Sequence, residues 1–414
     1  MKQGWEVKKL GEVCDLMTGG TPSRSKPEYF LGGTIKWLVS GDIHKGEIFD
    51  CEGRITTEGV SNSNAKYLPI NSVLIALNGQ GKTRGTVAML RTRATCNQSL
   101  VSIFPKNISK LLPEYLYCNL HGRYEELRKV TGDSGNDRRG LNMPLIRGLE
   151  IPLPPLPEQQ RIVAILDETF AAIAKAKANA EQNLRNAKEF FESYLQSVFE
   201  NKGKGWEEKT LGEVCELKPQ KKEAKDKLKE TDLVTFLPME DLGVLNKEIV
   251  GVKQRQLKDV AGSYTYFSEN DVLLAKITPC FENGKIGIAR NLINGVGFGS
   301  SEYIVFRSKG NLEPEFLYYF LSRNQIRDEG KKYMSGAVGH KRVSKDWIES
   351  YVIPFPASLT EQQTIVQKLD TLSTETKKLE TIYQQKLNDL EELKKSILQK
   401  AFNGELKTIK EVAV

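Results

Sequence analysis

The residues of this sequence that could carry chemistry are polar side chains that stand beside glycine in loop-like segments. Gly81-Lys82-Thr83 follows the apolar run Val73–Leu77 and has the ending of a phosphate-binding loop. Such a loop also needs a glycine five positions before Gly81, where this sequence has Ala76. The second half of the chain has Lys276-Ile277-Thr278-Pro279 at the corresponding place. We therefore interpret the segment as a variable contact loop and not as a nucleotide site.

Other catalytic patterns are missing from the sequence. The three histidines, His44, His121 and His340, are far apart, and no two of the six cysteines have CxxC spacing. The sequence contains no HExxH metal motif, no GxSxG nucleophile motif, no glycine-rich dinucleotide or adenosylmethionine fingerprint and no Asn-Pro-Pro-aromatic tetrapeptide. We therefore predict that the chain is not an enzyme, with no catalytic residues, no metal site and no cofactor of its own.

Both halves of the chain instead carry donor-rich loops that suit nucleic acid. Arginine and lysine pair with guanine edges or phosphates, asparagine and glutamine pair with adenine, and glycine lets the backbone approach a sugar–phosphate chain closely. A solvated surface side chain is the simpler explanation for any one of these residues, so the prediction depends on sets in equivalent loops. The candidate DNA-binding residues are Thr21, Ser23, Arg24, Lys82, Thr83, Arg84, Asn97, Gln98, Arg138 and Arg139 in the first half, and Lys221, Lys285, Ser300, Ser301, His340, Lys341 and Arg342 in the second.

Two long helices must position these loops. Four prolines between Pro152 and Pro157 forbid helix before Glu158, because proline lacks a backbone donor and restricts the residue before it. Some forty residues without proline or glycine follow, with apolar or small residues at helical spacing up to about Lys202. The pattern returns after Pro356 with apolar residues at steps of four and three. The predicted seam of the second helix is Ile365, Leu369, Leu372, Thr376, Leu379, Tyr383, Lys386, Leu390, Leu393 and Ile397.

The chain is a tandem duplication with an offset of about 200 residues. Gly4-Trp5-Glu6, for example, recurs as Gly205-Trp206-Glu207. A repeat of this length indicates two copies of one whole domain together with its helix. Each copy mixes strand-like runs such as Ser72–Leu77 with helical segments such as Pro113–Lys129, so we expect α+β domains with long loops.

The repeat and the helices predict five segments. They are a globular domain at 1–156, a spacer helix at 157–203, a second globular domain at 204–356, a second spacer helix at 357–403 and a tail at 404–414. The net charge is +7, and since the two helices together carry −2, the globular parts carry +9. A polyanion would be gripped there, although a merely basic protein would have the same balance.

Targeting signals are missing as well. No apolar run approaches the length that spans a membrane, and the N-terminus has no apolar stretch that could serve as a signal. We expect a protein that stays in the cytoplasm, away from membranes, with reduced and mostly buried cysteines.

The sequence resembles the specificity subunit of type I restriction-modification systems. The resemblance is carried by the Gly-Trp-Glu opening with Leu10-Gly11-Glu12-Val13, by Thr18–Arg24, by Trp37–Ile43, and by the proline-rich segment before Glu-Gln-Gln-x-Ile-Val, which occurs twice. It covers nearly the whole chain, and its most specific part is the repeated proline and Glu-Gln-Gln helix start. The lysine-rich stretch Lys218–Lys229 replaces the Thr18–Arg24 string in the second copy, so contact residues transfer less securely there.

The resemblance implies that each globular copy is a target-recognition domain that reads one half of a bipartite target on double-stranded DNA. It implies an antiparallel coiled coil of the two long helices and hence a pseudo-two-fold symmetric molecule. Methyltransferase subunits, two of them expected, would dock on the helices, and restriction/translocase subunits would join through the complex. S-adenosylmethionine, ATP and Mg would be cofactors of those partners. The candidate docking residues are Glu158, Gln159, Gln160, Glu361, Gln362 and Gln363.

Two other functions stay open at this point. The chain could be a coiled-coil scaffold whose globular domains bind protein partners, or a self-contained DNA-modifying enzyme. Phosphate contacts make DNA binding fall steeply with salt, which separates DNA binding from protein binding. The target sequence and its spacing do not follow from the residues, because DNA shape and water add to the readout.

Overall fold

The chain forms two units, each of which contains one globular domain and part of both long helices. Our computed structural model describes residues 4–79, 81–130, 141–249, 253–337 and 339–406. Unit 1 consists of Met1–Ala180 with Gln385–Val414, and unit 2 consists of Glu181–Gln384. Each unit therefore combines the first part of one long helix with the last part of the other.

Domain 1 is the globular part of unit 1. Its strands are β1 (Glu6–Lys9), β2 (Cys14–Thr18), β3 (Ile35–Leu38), β4 (Glu47–Ile48), β5 (Arg54–Ile55), β6 (Val73–Ala76), β7 (Val87–Leu90), β8 (Thr95–Cys96), β9 (Leu100–Pro105) and β10 (Glu150–Leu153). Its helices are α1 (Leu10–Val13), α2 (Thr57–Ser61), α3 (Pro113–Gly122), α4 (Tyr124–Val130), α5 (Met143–Gly148) and the long α6 (Leu156–Glu200).

Domain 2 is the globular part of unit 2. Its strands are β11 (Trp206–Thr210), β12 (Cys215–Glu216), β13 (Leu233–Leu237), β14 (Lys253–Gln256), β15 (Thr265–Ser268), β16 (Val272–Ala275), β17 (Ile286–Ile288), β18 (Val296–Gly299), β19 (Tyr303–Ser308), β20 (Met334–Ser335), β21 (Arg342–Val343) and β22 (Val352–Pro356). Its helices are α7 (Leu211–Val214), α8 (Lys222–Lys227), α9 (Leu257–Val260), α10 (Pro314–Ser322), α11 (Asn324–Lys332), α12 (Lys345–Ser350) and the long α13 (Leu359–Asn403).

The two domains are built on equivalent central sheets. The order is β2-β9-β6-β7-β4 in domain 1 and β12-β19-β16-β17 in domain 2, and a second sheet lies beside each (β5-β3-β8 and β14-β13-β18-β15). In β6, Val73 and Ile75 face one apolar core while Leu74 and Ala76 face another. Both faces of the strand are thus buried, which explains its unbroken apolar run. The α+β prediction is confirmed.

The predicted antiparallel pairing of the long helices is confirmed within each unit. In unit 1, Lys177 of α6 bonds Glu391 of α13, and the earlier Phe170 of α6 lies under the ammonium of the later Lys394. In unit 2, Lys188 pairs with Glu380 at 3.6 Å. The end of each helix reaches a domain core, where Leu398 packs in unit 1 and Leu195 packs in unit 2.

The seam of α13 differs from the predicted one at Leu379, Lys386 and Leu393, which are exposed. Leu369 and Thr376 are buried as expected, but Leu379 is 44% exposed and Leu393 is 47% exposed. The positions that turn inward are one residue later and include Glu380 and Lys394. Apolar residues mark a seam poorly here because the long stems of charged residues fill part of it.

The helix starts are set by their prolines. α6 begins at Leu156, two residues before the predicted Glu158, with Pro157 in its first turn. A first-turn N–H has no partner within the helix, so proline costs little there. The helix predicted at Pro113–Lys129 is confirmed as two helices, α3 and α4, which meet at Arg123. Within the described parts of the chain, no helix combines the length and apolar character needed to cross a membrane.

Candidate nucleic-acid interface

The strands of domain 1 bring three donor-rich loops to one edge of its central sheet. Antiparallel register places Thr18 opposite Val101 and Ala76 opposite Leu100. The loops that follow β2, connect β6 to β7 and precede β9 therefore leave the sheet at the same end. Of the predicted residues, this end carries Thr21, Lys82, Thr83, Arg84, Asn97 and Gln98.

Direct contacts hold these loops together. The Thr21 hydroxyl donates to Gln98 Oε1 at 2.6 Å, and the Leu77 N–H donates to the Ser99 carbonyl at 2.8 Å. The backbone of Gly19 passes so close to Cys96 that a Cβ on Gly19 would lie 1.7 Å from the Cys96 carbonyl oxygen. Any other residue at Gly19 would push the loop away. The glycine beside the polar residues is thus explained by close backbone packing.

Lys82 and its neighbours form a turn and not a phosphate loop. The residues after Thr83 turn back into strand β7, whereas a phosphate loop continues into a helix. The Lys82 side chain is exposed, and its carbonyl accepts bonds from the Thr86 hydroxyl at 2.6 Å and the Tyr124 hydroxyl at 3.2 Å. The half-buried Arg84 lies in the same turn.

A cleft of about 240 Å³ lies beside this turn. Thr83 Oγ1 lies 3.0 Å from His44 Nε2 in this region. Burial lowers the pKa of His121 to about 4, with Lys394 nearby adding to the shift, so the ring is neutral near pH 7. The cleft is lined by His44, Lys82, Gly85, Thr86, Val87, His121 and Tyr124.

The remaining candidates of domain 1 differ in position. Ser23 and Arg24 are exposed in the loop that follows Gly20, with Ser23 Oγ 2.8 Å from Ser25 Oγ. Arg138 and Arg139 lie outside the described residues. Leu141, the first described residue after them, donates its N–H to the Leu77 carbonyl at 3.1 Å.

Domain 2 repeats the same edge with other side chains. The backbone N–H of Ala275 donates to the carbonyl of Lys285 at 3.0 Å. In the same way, Lys276 donates to the carbonyl of Glu302 and Val343 donates to the carbonyl of Lys276, both at 2.9 Å. These bonds match Ala76 to Thr86, Leu77 to Ser99 and Leu141 to Leu77 in domain 1, at 3.1, 2.8 and 3.1 Å. Lys285, Ser300, Ser301, His340, Lys341 and Arg342 therefore belong to one edge.

The charged residues at this edge have different partners. Arg342 makes two bonds to Glu302, at 2.9 and 2.7 Å, and this pairing lowers the pKa of Glu302. The Lys285 ammonium donates to the Met239 carbonyl at 2.6 Å, whereas the side chains of His340 and Lys341 are exposed. Two of the predicted cations are thus already bound within the domain.

Lys221 lies apart from that cluster. Its ammonium donates to the Gly262 carbonyl at 2.7 Å, next to the second sheet. Burial lowers its pKa, and the neighbouring charges of Lys218 and Lys225 lower it further. The lysine-rich segment is therefore a separate positive surface, defined here by Lys218–Lys229.

The docking candidates divide into buried and exposed residues. Gln159 and Gln362 are 0% exposed, and their amides are bonded within their own domains, so neither side chain reaches the surface. Gln160 and Glu361 are exposed, and Gln363 is exposed while donating to Glu313 at 2.8 Å. Glu158 is half-buried and pairs with Arg161 at 2.7 Å.

Some exposed residues were missed by sequence reasoning. Phe190 of α6 is 60% exposed and lines a groove of about 490 Å³ with Tyr194 and Leu372 in unit 2. In unit 1, the residue at the same place in the repeat is Leu393, which we had assigned to the seam. A helical plot of α6 alone could have revealed Phe190, since its neighbour Phe191 carries the apolar repeat. No cluster of three metal-ligating residues occurs in the described ranges.

Comparisons with known proteins give consistent results. A family described as type I restriction modification DNA specificity domain matches residues 2–182 and again residues 203–392. The EcoEI specificity subunit of a type I restriction enzyme from Escherichia coli is 36% identical over 166 residues, 39% of this chain and 27% of that protein. The MjaIX specificity subunit of Methanocaldococcus jannaschii is 24% identical over 431 residues, 97% of this chain and 94% of that protein.

Solved structures share the fold. A chain from a structural study of assembly and conformational transition in a type I R-M system superimposes with a TM-score of 0.76 at 20% identity, covering 98% of this chain and 99% of that one. The HsdS subunit from Thermoanaerobacter tengcongensis gives a TM-score of 0.61 at 20% identity over 98% of both chains. The matching segment spans only about a quarter of the EcoEI subunit, whereas these two structures match end to end.

Proposed function

This chain belongs to the family of type I restriction modification DNA specificity domains, and on that premise we propose that it is a specificity subunit without catalysis of its own. It recognises a bipartite target on double-stranded DNA and assembles the subunits that modify and cut it. Each globular domain reads one half of the target.

The observation that carries this proposal is the pair of equivalent sheet edges. Three backbone hydrogen bonds have counterparts in both domains, yet the side chains on the loops differ. Domain 1 presents lysine with asparagine and glutamine, and domain 2 presents lysine with serine and histidine. Two domains that read different half-sites need the same backbone arrangement and different hydrogen-bonding side chains on their loops.

The long helices supply the spacing in this proposal. α6 contains 45 residues and extends over about 68 Å at about 1.5 Å per residue. That length equals about two turns of DNA at about 34 Å each. The lysine-rich segment Lys218–Lys229 adds a phosphate-binding surface on domain 2, because clustered ammonium groups attract the DNA backbone regardless of sequence.

Partner subunits supply the chemistry. Two methyltransferase subunits dock on the long helices, at the groove beside Phe190 in unit 2 and at the exposed Leu393 in unit 1. Contiguous exposed apolar side chains mark interaction surfaces, and Phe190 lines one groove together with Tyr194 and Leu372. S-adenosylmethionine, ATP and Mg belong to the methyltransferase and translocase subunits. The variant Phe190→Asp, with Asn183→Asp as control, should lose co-purification of a methyltransferase subunit; retention by both variants would refute this docking site.

The competing function is a scaffold whose globular domains bind proteins. The exposed apolar residues on the helices are compatible with it, but the donor-rich edges favour a polyanion. Affinity that stays constant between low and moderate salt would favour the scaffold, because release of counterions makes DNA affinity fall steeply with salt.

The test is selection of bound duplexes from a random DNA pool. The chain is co-expressed with the methyltransferase subunit of its own operon, and the recovered duplexes are sequenced. Enrichment of two short constant blocks at fixed spacing is the expected result. A complete assembly that enriches no sequence would overturn the proposal.

A variant of one edge makes the test specific. Lys82→Ala should weaken readout of one block only, because Lys82 lies on the edge of domain 1. Lys110→Ala is the matched control, since Lys110 follows the opposite end of β9 and is also exposed. Equal loss at both blocks would mean that Lys82 grips phosphate or supports the fold.

A further inference from the structure

Each long helix carries a fully buried glutamine in its first turns. Gln159 of α6 and Gln362 of α13 are both 0% exposed. Glutamine is mostly found at the surface, because its amide loses water when buried. A buried glutamine therefore needs a set of internal hydrogen bonds, and the two sets are the same.

Gln159 ties three segments of unit 1 together. Its Oε1 accepts the N–H of Leu112 at 2.9 Å, directly before helix α3. Its Nε2 donates to the Lys110 carbonyl and to the Pro154 carbonyl, both at 2.8 Å. The amide thus joins the long helix to the loop before α3 and to the end of β10.

Gln362 makes the corresponding bonds in unit 2. Its Oε1 accepts the N–H of Glu313 at 2.9 Å, and its Nε2 donates to the Asn311 carbonyl at 2.9 Å and the Pro356 carbonyl at 2.8 Å. The bonded carbonyl lies five residues before the glutamine in unit 1 and six residues before it in unit 2. The bonds are kept although the connecting segments differ in length and sequence.

Hydrogen bonds of this kind fix an angle and not only a distance. The amide is planar, and its three bonds point in three directions, so the helix cannot swing without breaking at least one of them. A buried apolar side chain of the same size would fill the space and leave the direction free. Removing the amide would also take a hydrogen-bond partner from two carbonyls and one N–H at a partly buried site.

We propose that Gln159 and Gln362 are positioning residues that lock each globular domain at a fixed angle on its own long helix. Through this angle they set how strictly the protein reads the distance between two half-sites. The first statement concerns the fold alone, and the second depends on the proposed function.

The first statement is tested by spin-label distances within unit 1. Labels are placed at the exposed Ala174 of α6 and Ser61 of domain 1, in a full-length Cys280→Ser background that removes the half-buried cysteine. Gln159→Met keeps the side-chain length, and Gln160→Met, at the exposed neighbour, is the control. Wild type and control should give one narrow distance distribution, and Gln159→Met a clearly broader one.

A stability role alone would give a different result. If Gln159→Met lowers the melting temperature while its distance distribution stays as narrow as that of the control, the proposal is overturned. If this variant does not fold, Gln159→Glu replaces it, because it keeps the acceptor for Leu112 and loses both donated bonds at neutral pH. Gln362→Met makes the same comparison in unit 2.

The second statement is tested on selected duplexes whose spacer is changed by one base pair. The wild-type assembly should lose about tenfold in affinity, the size of loss that one mismatched base pair commonly causes in protein–DNA complexes, and Gln159→Met should lose much less. Equal loss in both would overturn this part. If wild type selects no sequence at all, the proposed function fails. The spin-label result still decides whether Gln159 fixes the angle between domain 1 and α6.

Discussion

The central sheets of the two domains carry chemically different residues at one equivalent pair of neighbouring positions. The register that pairs Val73 with Ile103 brings Ser72 beside Phe104, and the register that pairs Val272 with Phe306 brings Asp271 beside Arg307. Domain 1 thus has a hydroxyl and an aromatic ring where domain 2 has a buried carboxylate and a guanidinium.

The charged pair of domain 2 belongs to a larger network. Arg307 bonds Asp271 through two nitrogens, at 2.9 and 2.8 Å, and reaches Glu223 at 2.7 Å and Ser268 at 2.7 Å. Burial raises the pKa of Asp271, and the bonds to Arg307 oppose that shift. The network connects the central sheet to α8, which carries the lysine-rich segment. One scaffold therefore tolerates either an apolar or an ionic interior, provided that each is complete.

The largest expected effect comes from breaking this network. Arg307→Phe should destabilise domain 2 by about 3–5 kcal/mol, because it leaves the buried Asp271 without its partner. The double variant Asp271→Ser with Arg307→Phe copies domain 1 and should recover much of that loss. Chemical denaturation, monitored through hydrogen exchange of domain 2 peptides, measures the loss in the single variant and the recovery in the double variant.

The matched control for this experiment is Phe104→Leu in domain 1, at the position equivalent to Arg307. It should alter hydrogen exchange in domain 1 and leave domain 2 unchanged. If the double variant is no more stable than Arg307→Phe alone, the Ser–Phe pair of domain 1 cannot replace the Asp–Arg pair of domain 2, and the two positions are not equivalent in packing.

The second-largest expected effect is that acid lowers the stability of unit 1 more than that of unit 2. Burial lowers the pKa of His121 from 6.5 to about 4 in unit 1, and the equivalent residue in unit 2 is Ser322. The folded protein then binds fewer protons than the unfolded one, so stability is full above pH 6.5 and falls as the pH drops toward 4. At pH 5 we expect unit 1 to lose about 2 kcal/mol relative to pH 7.

Hydrogen exchange at pH values between 5 and 7, corrected for the intrinsic rate, reports this loss for each unit. His121→Gln should remove the part of the pH dependence that is specific to unit 1. An unchanged pH profile in this variant would assign the acid sensitivity to other groups.

The sequence predicts the frame of both domains well, because the frame is apolar and periodic. A strand was predicted from the apolar run Val73–Leu77, and β6 (Val73–Ala76) lies within it and is buried on both faces. The donor-rich loops were predicted from residue types, and those that carry Lys82 and Gln98 leave the central sheet at the same end. Gln159 was assigned to the surface by its polar side chain, although it lies three residues before Ile162 and seven before Leu166 on the buried face of α6. The α13 seam was misplaced because the apolar pattern selects Leu379 and Leu393. The half-buried residues are their neighbours Glu380 and Lys394.

The smallest expected effect concerns how each domain is tied to its long helix. In unit 2, Asp370 of α13 bonds the ammonium of Lys247 and the hydroxyl of Tyr319. The equivalent residue in unit 1 is Asp167 of α6, whose pKa is raised by burial and by the neighbouring Glu47 and Glu114. The same carboxylate is thus attractive in one unit and repulsive in the other.

Substitution by asparagine should therefore act with opposite sign in the two units. Asp370→Asn weakens charge-assisted bonds at a partly exposed site and should cost about 1 kcal/mol in unit 2. Asp167→Asn relieves repulsion among carboxylates at an exposed site, where solvent screens the charges, and should stabilise unit 1 by only about 0.2–0.5 kcal/mol in thermal denaturation at neutral pH. A loss of stability in both variants would mean that Asp167 has a favourable contact in unit 1, and the two helix attachments would then be alike. Opposite signs would establish that unit 2 adds charge-assisted bonds at Asp370 to the glutamine attachment that both units share.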